Sequence, residues 1–75
     1  MIDYKKRISS DPAIMLGKPV IKGTRLPVET ILCKMGEGAT VEQLLQSYPY
    51  ITQEDIMASL CYSAEVIGRE ELLAS

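Results

Sequence analysis

Apolar residues recur at helical spacing from Pro27 onward. Four of them share the i, i+3, i+4, i+7 spacing of one helix face: Val28, Ile31, Leu32 and Met35. Pro27 suits the first helical position, and Gly36 suits a helix end because glycine readily adopts the left-handed conformation found there. The pattern therefore predicts a first helix over residues 27–36.

A second helix is predicted over residues 41–47, where apolar residues repeat at the same spacing. Thr40 and Gln43 stand three residues apart at its start, which is the spacing of a capping box. Pro49, within the connecting sequence SYPYIT, ends this helix.

A third helix begins where Thr52 and Asp55 repeat the capping-box spacing, and it is predicted to reach Gly68. One apolar stripe is predicted for its buried face: Ile56, Leu60, Ala64 and Ile67, broadened by Met57 and Cys61. Residues 69–75, REELLAS, either extend the helix or fray, and the pattern leaves both possibilities open.

The N-terminal third has a different pattern. Ile2, Tyr4 and Ile8 are spaced for one face of a short strand, and a loose arm is the alternative for this segment. Turn signals limit residues 13–16 and 20–22 to very short extended pieces. The predicted fold is mainly α: a three-helix, helix-turn-helix-like (homeodomain-like) domain with a short N-terminal β-strand or hairpin region. Its single domain spans residues 1–75, with an extended basic region (1–26), a three-helix region (27–68) and a tail (69–75).

Composition narrows the possibilities further. With four tyrosines and no Trp or Phe, the core must be aliphatic, built from Ile, Leu, Val and Met, and a 75-residue chain has little room for such a core. We therefore expect a homodimer or another partner. Cys33 and Cys61 are expected to be free, largely buried thiols, and with no histidine or CxxC pair no metal site is predicted. No long apolar run or signal peptide is evident, so no membrane association and a cytoplasmic location are expected.

Charge is divided unevenly along the chain. Residues 1–34 carry seven Lys or Arg against three Asp or Glu, whereas residues 35–75 carry one against seven. This distribution fits two different binding faces, although chance clustering on a solvated surface explains it as well. Catalysis is disfavoured because the chain lacks histidine and neither cysteine has a partner base, so the protein is expected to be neither an enzyme nor a cofactor binder.

The stretch GKPVIKGTRLPV, residues 17–28, lacks the GxxxxGK[ST] order of a phosphate-binding loop. Gly23 and Thr24 are explained by a tight turn, and Arg25 could pair with Asp11 or Glu29. The alternative is a basic ridge that contacts nucleic-acid phosphates. Its candidate residues are Lys5, Lys6, Arg7, Lys18, Lys22 and Arg25.

The third helix is a poor match to a DNA recognition helix. Gln53 and Ser59 are possible base-edge groups, but Glu54 and Asp55 would repel phosphate. If the protein binds duplex DNA, the basic N-terminal region must supply most of the affinity.

The runs GKPVIKGTRLPVETIL and GEGATVEQLLQSYPYITQEDIMASLCYSAE closely resemble the DUF433 family (domain of unknown function 433) over roughly residues 8–66, with Ile21 to Arg25 as its hallmark. The resemblance implies a helix-turn-helix-like antitoxin that is encoded beside a PIN-like nuclease toxin. In that hypothesis the acidic C-terminal segment docks on the toxin, although REELLAS could merely cap the domain. The candidate partner-binding residues are Tyr62, Glu65, Glu70, Leu72 and Leu73. The alternatives are a stand-alone DNA-binding regulator and a homo-oligomeric interaction module.

Overall fold

Three helices carry most of the chain in the computed structural model, which describes residues 4–74 and the side chains of residues 4–69. The helices are α1 (Val28–Gly36), α2 (Val41–Ser47) and α3 (Gln53–Ala74). The predicted mainly α class is confirmed, and the first two helices begin and end within one residue of their predicted bounds. The third continues past Gly68, so residues 69–74 extend the helix. Within the described residues, no helix has both the length and the hydrophobicity needed to cross a membrane.

A short antiparallel strand pair precedes the helices and confirms the predicted hairpin region. Strand β1 (Ile8–Ser9) pairs with β2 (Val20–Ile21), with Ile8 opposite Ile21. The strand is shorter than predicted, because Tyr4 lies in a 3₁₀ turn (Tyr4–Lys6) rather than in β1. Ile2, the other residue of the predicted strand, lies outside the described residues.

The connection between the strands contradicts the extended geometry predicted for residues 13–16. Met15, Leu16 and Gly17 all have positive φ, at 51°, 58° and 84°, which is the left-handed region that non-glycine residues rarely occupy. Asp11 explains why this segment turns instead of extending, because its carboxylate accepts from Ala13 N at 2.9 Å and its carbonyl accepts from Ile14 N at 2.8 Å. These local hydrogen bonds close a turn where apolar spacing alone suggested extended chain.

The core is aliphatic, as predicted, and lies where the strand pair meets the three helices. Its buried apolar residues are Ile8, Val20, Ile21, Leu26, Val28, Ile31, Leu44, Ile51, Ile56 and Ala58. Methionine contributes less to the core than predicted, because Met35 and Met57 are only partly buried. Leu32 and Met35 pack against the edge of this core, so the predicted apolar face of α1 is confirmed.

Helix α2 begins with the predicted capping box. Thr40 Oγ1 accepts from Gln43 N at 3.1 Å, and the Gln43 side chain accepts from Thr40 N at 2.9 Å. Two of the backbone N–H groups that have no partner within the helix are thereby satisfied. Leu44, one turn further on, is buried and holds α2 against the core.

The buried face of α3 differs from the predicted stripe. Leu60 and Ile67 are 37% and 54% exposed, and Ala64 is also exposed. The inward-facing residues instead begin at Asp55 in the first turn and recur at i, i+4, i+7 and i+11. They are Asp55, Ser59, Tyr62 and Val66, with Ile56 and Ala58 beside them. The polar residues are tolerated because each has partners, such as the Ser59 hydroxyl that donates to the Asp55 carbonyl at 2.9 Å. Ser59 is fully buried and therefore cannot contact base edges, contrary to the prediction.

Candidate binding surfaces

The hallmark segment Ile21 to Arg25 forms a tight turn immediately after β2. Thr24 N donates to the Ile21 carbonyl at 3.0 Å, and Gly23 between them has φ +82°, as the third position of a type II turn requires. The Thr24 hydroxyl donates to the same carbonyl at 2.7 Å and accepts from Leu26 N at 3.0 Å. Gly23 and Thr24 therefore serve the fold, and the cations on either side of them remain as candidate binding residues.

Lys22 and Arg25 are both exposed, and they border an open depression of about 540 Å³. The depression is lined by Lys22, Gly23, Thr24, Arg25, Leu26 and Tyr50. Tyr50 comes from the connection between α2 and α3 and is 60% exposed. Its ring meets Tyr48 edge to face, with 6.3 Å between ring centroids. Sequence reasoning missed Tyr50, although a large aromatic residue beside Pro49 in a connecting turn was a usable signal of exposure.

None of the other four candidate phosphate-binding cations lines this depression. Lys18 pairs with Glu29 at 2.6 Å, and Arg7 pairs with Asp55 at 3.2 Å. Lys5 and Lys6 are exposed on the 3₁₀ turn. The structure therefore brings only Lys22 and Arg25, of the six candidates, to the walls of the depression.

Arg25 forms an ion pair with neither Asp11 nor Glu29, the two partners considered from the sequence. Among residues 4–69 the ion pairs join Arg7 to Asp55, Lys18 to Glu29 and Arg69 to Glu65, so the Arg25 guanidinium is in none of them. Glu29, one of the two carboxylates considered, is taken by Lys18. The charge of Arg25 is consequently not neutralised by a described carboxylate.

Two of the candidate partner-binding residues, Tyr62 and Glu65, hold the N-terminal turn against α3. Tyr4 packs edge to face on Tyr62, with ring centroids 5.6 Å apart, and its hydroxyl donates to Glu65. Arg69 donates to the other carboxylate oxygen of Glu65 at 2.6 Å. The hydrogen bond from Tyr4, assisted by that from Arg69, lowers the pKa of the Glu65 carboxyl, and the same bond raises the pKa of Tyr4.

The remaining candidate partner residues belong to the last turns of α3. The side chains of Glu70, Leu72 and Leu73 lie outside the described residues. What the structure adds is a second surface, the α3 stripe, defined here as Leu60, Ala64 and Ile67. Its residues share one face of the helix at i, i+4 and i+7, and all three are exposed.

The two cysteines are less buried than predicted. Cys33 is exposed on α1, and Cys61 is half-buried on α3. The expectation that both thiols are free is confirmed. No cluster of three or more potential metal ligands occurs within the described part of the chain.

The fold and these surfaces define a small, mainly α domain that presents an open basic depression and an apolar helix stripe to solvent. Residues 8–63 match the family described as "Protein of unknown function (DUF433)". The chain belongs to the DUF433 family, as its sequence resemblance indicated.

Two relatives illustrate how far the similarity extends. A crystal structure of a DUF433 member protein from Anabaena variabilis is 30% identical, with a TM-score of 0.78, and the similarity covers 92% of this chain and 69% of that one. The uncharacterized protein y4eO of Sinorhizobium fredii is 34% identical over 56 residues, which are 75% of this chain. The matched segment is only 25% of the length of y4eO.

Proposed function

We propose that this protein is a non-catalytic antitoxin that binds a PIN-like nuclease and occludes its active cleft. The α3 stripe is the observation that best supports this proposal. Leu60 and Ile67 are large apolar side chains that leave 37% and 54% of their surface in water. Their burial against a partner would contribute favourable free energy in proportion to the area covered.

The charge of α3 defines the chemistry of the expected partner. The helix carries five acidic side chains and one basic one: Glu54, Asp55, Glu65, Glu70, Glu71 and Arg69. Arg7 pairs with Asp55 and Arg69 with Glu65, so the negative charge offered to a partner comes mainly from the other three. A cleft that binds RNA phosphates needs a positive potential, so an acidic helix with an apolar stripe is complementary to it. The helix would compete with RNA for the same cations, which amounts to inhibition by occlusion.

The test uses the PIN-like nuclease encoded by an adjacent reading frame, purified and assayed on a fluorogenic RNA substrate. We expect the wild-type protein to inhibit it at one-to-one stoichiometry, and Ile67→Glu and Leu60→Glu to weaken inhibition by at least tenfold. Leu16→Glu is the matched control, because Leu16 is 95% exposed and belongs to a different surface. No inhibition by the folded wild-type protein would refute the proposal, whereas equal inhibition by all variants would reject the α3 stripe as the interface.

A second copy could instead cover the same stripe, since the small core leads us to expect a dimer or another partner. Sedimentation velocity on the isolated protein distinguishes the two uses. A dimer that persists when the nuclease is added in excess would support the homo-oligomeric alternative. A dimer that dissociates into a one-to-one complex would support toxin binding.

A stand-alone DNA-binding regulator is the second candidate, and the exposed, adjacent positions of Lys22 and Arg25 favour it. In this candidate, phosphate contacts supply most of the affinity, because the first turn of α3 is acidic and Ser59 is buried. Binding to duplex DNA should then weaken as salt rises. It should disappear when Lys5, Lys6, Lys22 and Arg25 are all changed to alanine.

A further inference from the structure

The geometry of the depression beside the Ile21–Arg25 turn points to a binding site for single-stranded nucleic acid, with Tyr50 stacking on one unpaired base while Lys22 and Arg25 hold the flanking phosphates. This inference does not depend on the proposed antitoxin function, because it uses none of the residues of the α3 stripe. It also differs from duplex binding, which requires no exposed aromatic ring.

Tyr50 is positioned as a stacking platform. It is 60% exposed, although burying a tyrosine ring would be favourable. The T-shaped contact with Tyr48, at an interplanar angle of 75°, occupies at most one face of the Tyr50 ring. At least one face is therefore not covered by Tyr48 and can receive a base, an interaction that tolerates any base sequence.

Two cations that line the same depression supply positive charge on a rigid support. Lys22 and Arg25 flank a turn that is fixed by Thr24 and by the hydrogen bond from Ile21 N to the Leu26 carbonyl at 3.0 Å. Neither cation is in an ion pair with the described residues. Their charges are consequently available to phosphate, and a fixed backbone reduces the entropy lost when the ligand binds.

Backbone donors strengthen this preference for anions. Within residues 4–69, the N–H groups of Gly23 and Arg25 donate to no protein acceptor. The Thr24 N–H between them is bonded to the Ile21 carbonyl, so these are two separate donors rather than a run of successive N–H groups. A phosphate beside this turn could therefore combine charge from two side chains with hydrogen bonds from the main chain.

Two features select a single strand over a duplex. A base inside a duplex is already stacked on both faces, so the Tyr50 ring could reach only an unpaired base. The depression, at about 540 Å³, falls within the usual size range of small-ligand sites and suits one nucleotide unit. Its open form does not enclose the bound unit, as a site on a continuous strand requires.

The experiment measures fluorescence anisotropy of labelled 12-nucleotide single strands, one of DNA and one of RNA, at low and moderate salt. We expect Tyr50→Leu to weaken binding about tenfold, as the loss of one stacked base implies. Tyr50→Phe keeps the aromatic ring and should bind as tightly as the wild type. The double variant Lys22→Gln, Arg25→Gln should weaken binding further and flatten its salt dependence. Preference between the two strands identifies the natural ligand class, and either preference supports the site.

Lys18→Gln is the matched control, because Lys18 is paired with Glu29 and does not line the depression. Unchanged binding by Tyr50→Leu, equal loss in Lys18→Gln, or no binding by the folded wild-type protein would overturn the inference. Full competition by an equal amount of duplex DNA would overturn it too and would favour the duplex regulator. Tyr50→Leu should leave nuclease inhibition unchanged and Ile67→Glu should leave strand binding unchanged, so the two proposals can fail separately.

Discussion

Arg7 and Asp55, 48 residues apart in sequence, form an ion pair with 3.2 Å between Nη1 and Oδ1. The other oxygen of the Asp55 carboxylate accepts from Thr52 N at 2.9 Å and completes the cap of α3. Only 11% of the Asp55 side chain is exposed. The pair thus attaches the segment that precedes β1 to the start of the longest helix and satisfies a largely buried charge.

Removing this carboxylate should destabilise the protein more than removing its partner. Asp55→Ala loses both the cap and the ion pair, for which we expect a decrease of about 2 kcal/mol in the free energy of unfolding. Arg7→Ala should cost less than about 1 kcal/mol, because 39% of the Arg7 side chain is exposed to screening solvent. Urea denaturation followed by circular dichroism measures both values, with Gln53→Ala as an exposed control in the same helical turn. Equal losses in the two variants would contradict this account.

Gly23 is required for its backbone conformation. A side chain added there would meet no atom within 4 Å, so it would not clash with its neighbours. The backbone φ is +82°, however, so any other residue would be strained by its own backbone conformation. We expect Gly23→Ala to destabilise the fold by about 1 kcal/mol and Gly23→Val by more. Gly68→Ala is the matched control: Gly68 also has open space around it but lies inside α3, where alanine should stabilise by about 0.5–1 kcal/mol. Thermal unfolding of the three variants tests this difference in sign.

The Tyr4–Glu65 hydrogen bond should make stability depend on pH in two directions. The folded state lowers the pKa of Glu65 below 4.5, so its contribution is present above that value and is lost as pH falls through the folded pKa. The folded state raises the pKa of Tyr4 above 10.0, so this contribution is present below that value and is lost as pH rises through the folded pKa.

Tyr4→Phe keeps the ring that packs on Tyr62 and removes only the hydroxyl. We therefore expect the variant to be less stable than the wild type near neutral pH and to approach the wild type under acid conditions. An NMR titration should place the Glu65 carboxyl closer to its ordinary pKa in the variant, with Arg69 still lowering it. An identical Glu65 titration in both proteins would show that the hydroxyl has no such effect.

Leu16 offers a case in which removing an apolar side chain should stabilise the protein. It is 95% exposed and is held at φ 58° and ψ 32°, so it contributes little packing while its backbone is strained. We expect Leu16→Gly to raise the free energy of unfolding by roughly 0.5–1 kcal/mol, after allowing for the greater freedom of glycine in the unfolded chain. Leu16→Ala keeps the unfavourable φ and should bring no such gain. Chemical denaturation of the two variants measures the difference.

The helices were predictable from sequence because periodicity and end signals agree. Thr40 with Gln43 and Thr52 with Asp55 both form the predicted reciprocal caps. The buried face of α3 was not predictable from apolar spacing. Asp55 is tolerated on the inward side because it pairs with Arg7, a residue whose proximity depends on the tertiary fold. Ser59 lies one turn further along that side and is buried, whereas Leu60 is exposed.

The candidate binding surfaces likewise combine local features that were predictable from sequence with tertiary features that were not. The local role of Thr24 in a turn could be inferred from its neighbours, because its partners lie two and three residues away. The meeting of Tyr50 with Lys22 and Arg25 around one depression could not be inferred, because it depends on how the α2–α3 connection packs beside the turn after β2. Contacts between distant segments carry no periodic signal in a single sequence.

The contact between Tyr4 and Glu65 spans 61 positions of the chain. During translation, the segment that contains Tyr4 is synthesised long before residue 65, so this contact cannot form until the first half of α3 has been added. Arg7 must likewise wait for Asp55 before its ion pair can form. The N-terminal segment therefore becomes anchored only after this part of α3 has emerged, and until then chaperones and proteases can reach it once it is outside the ribosome.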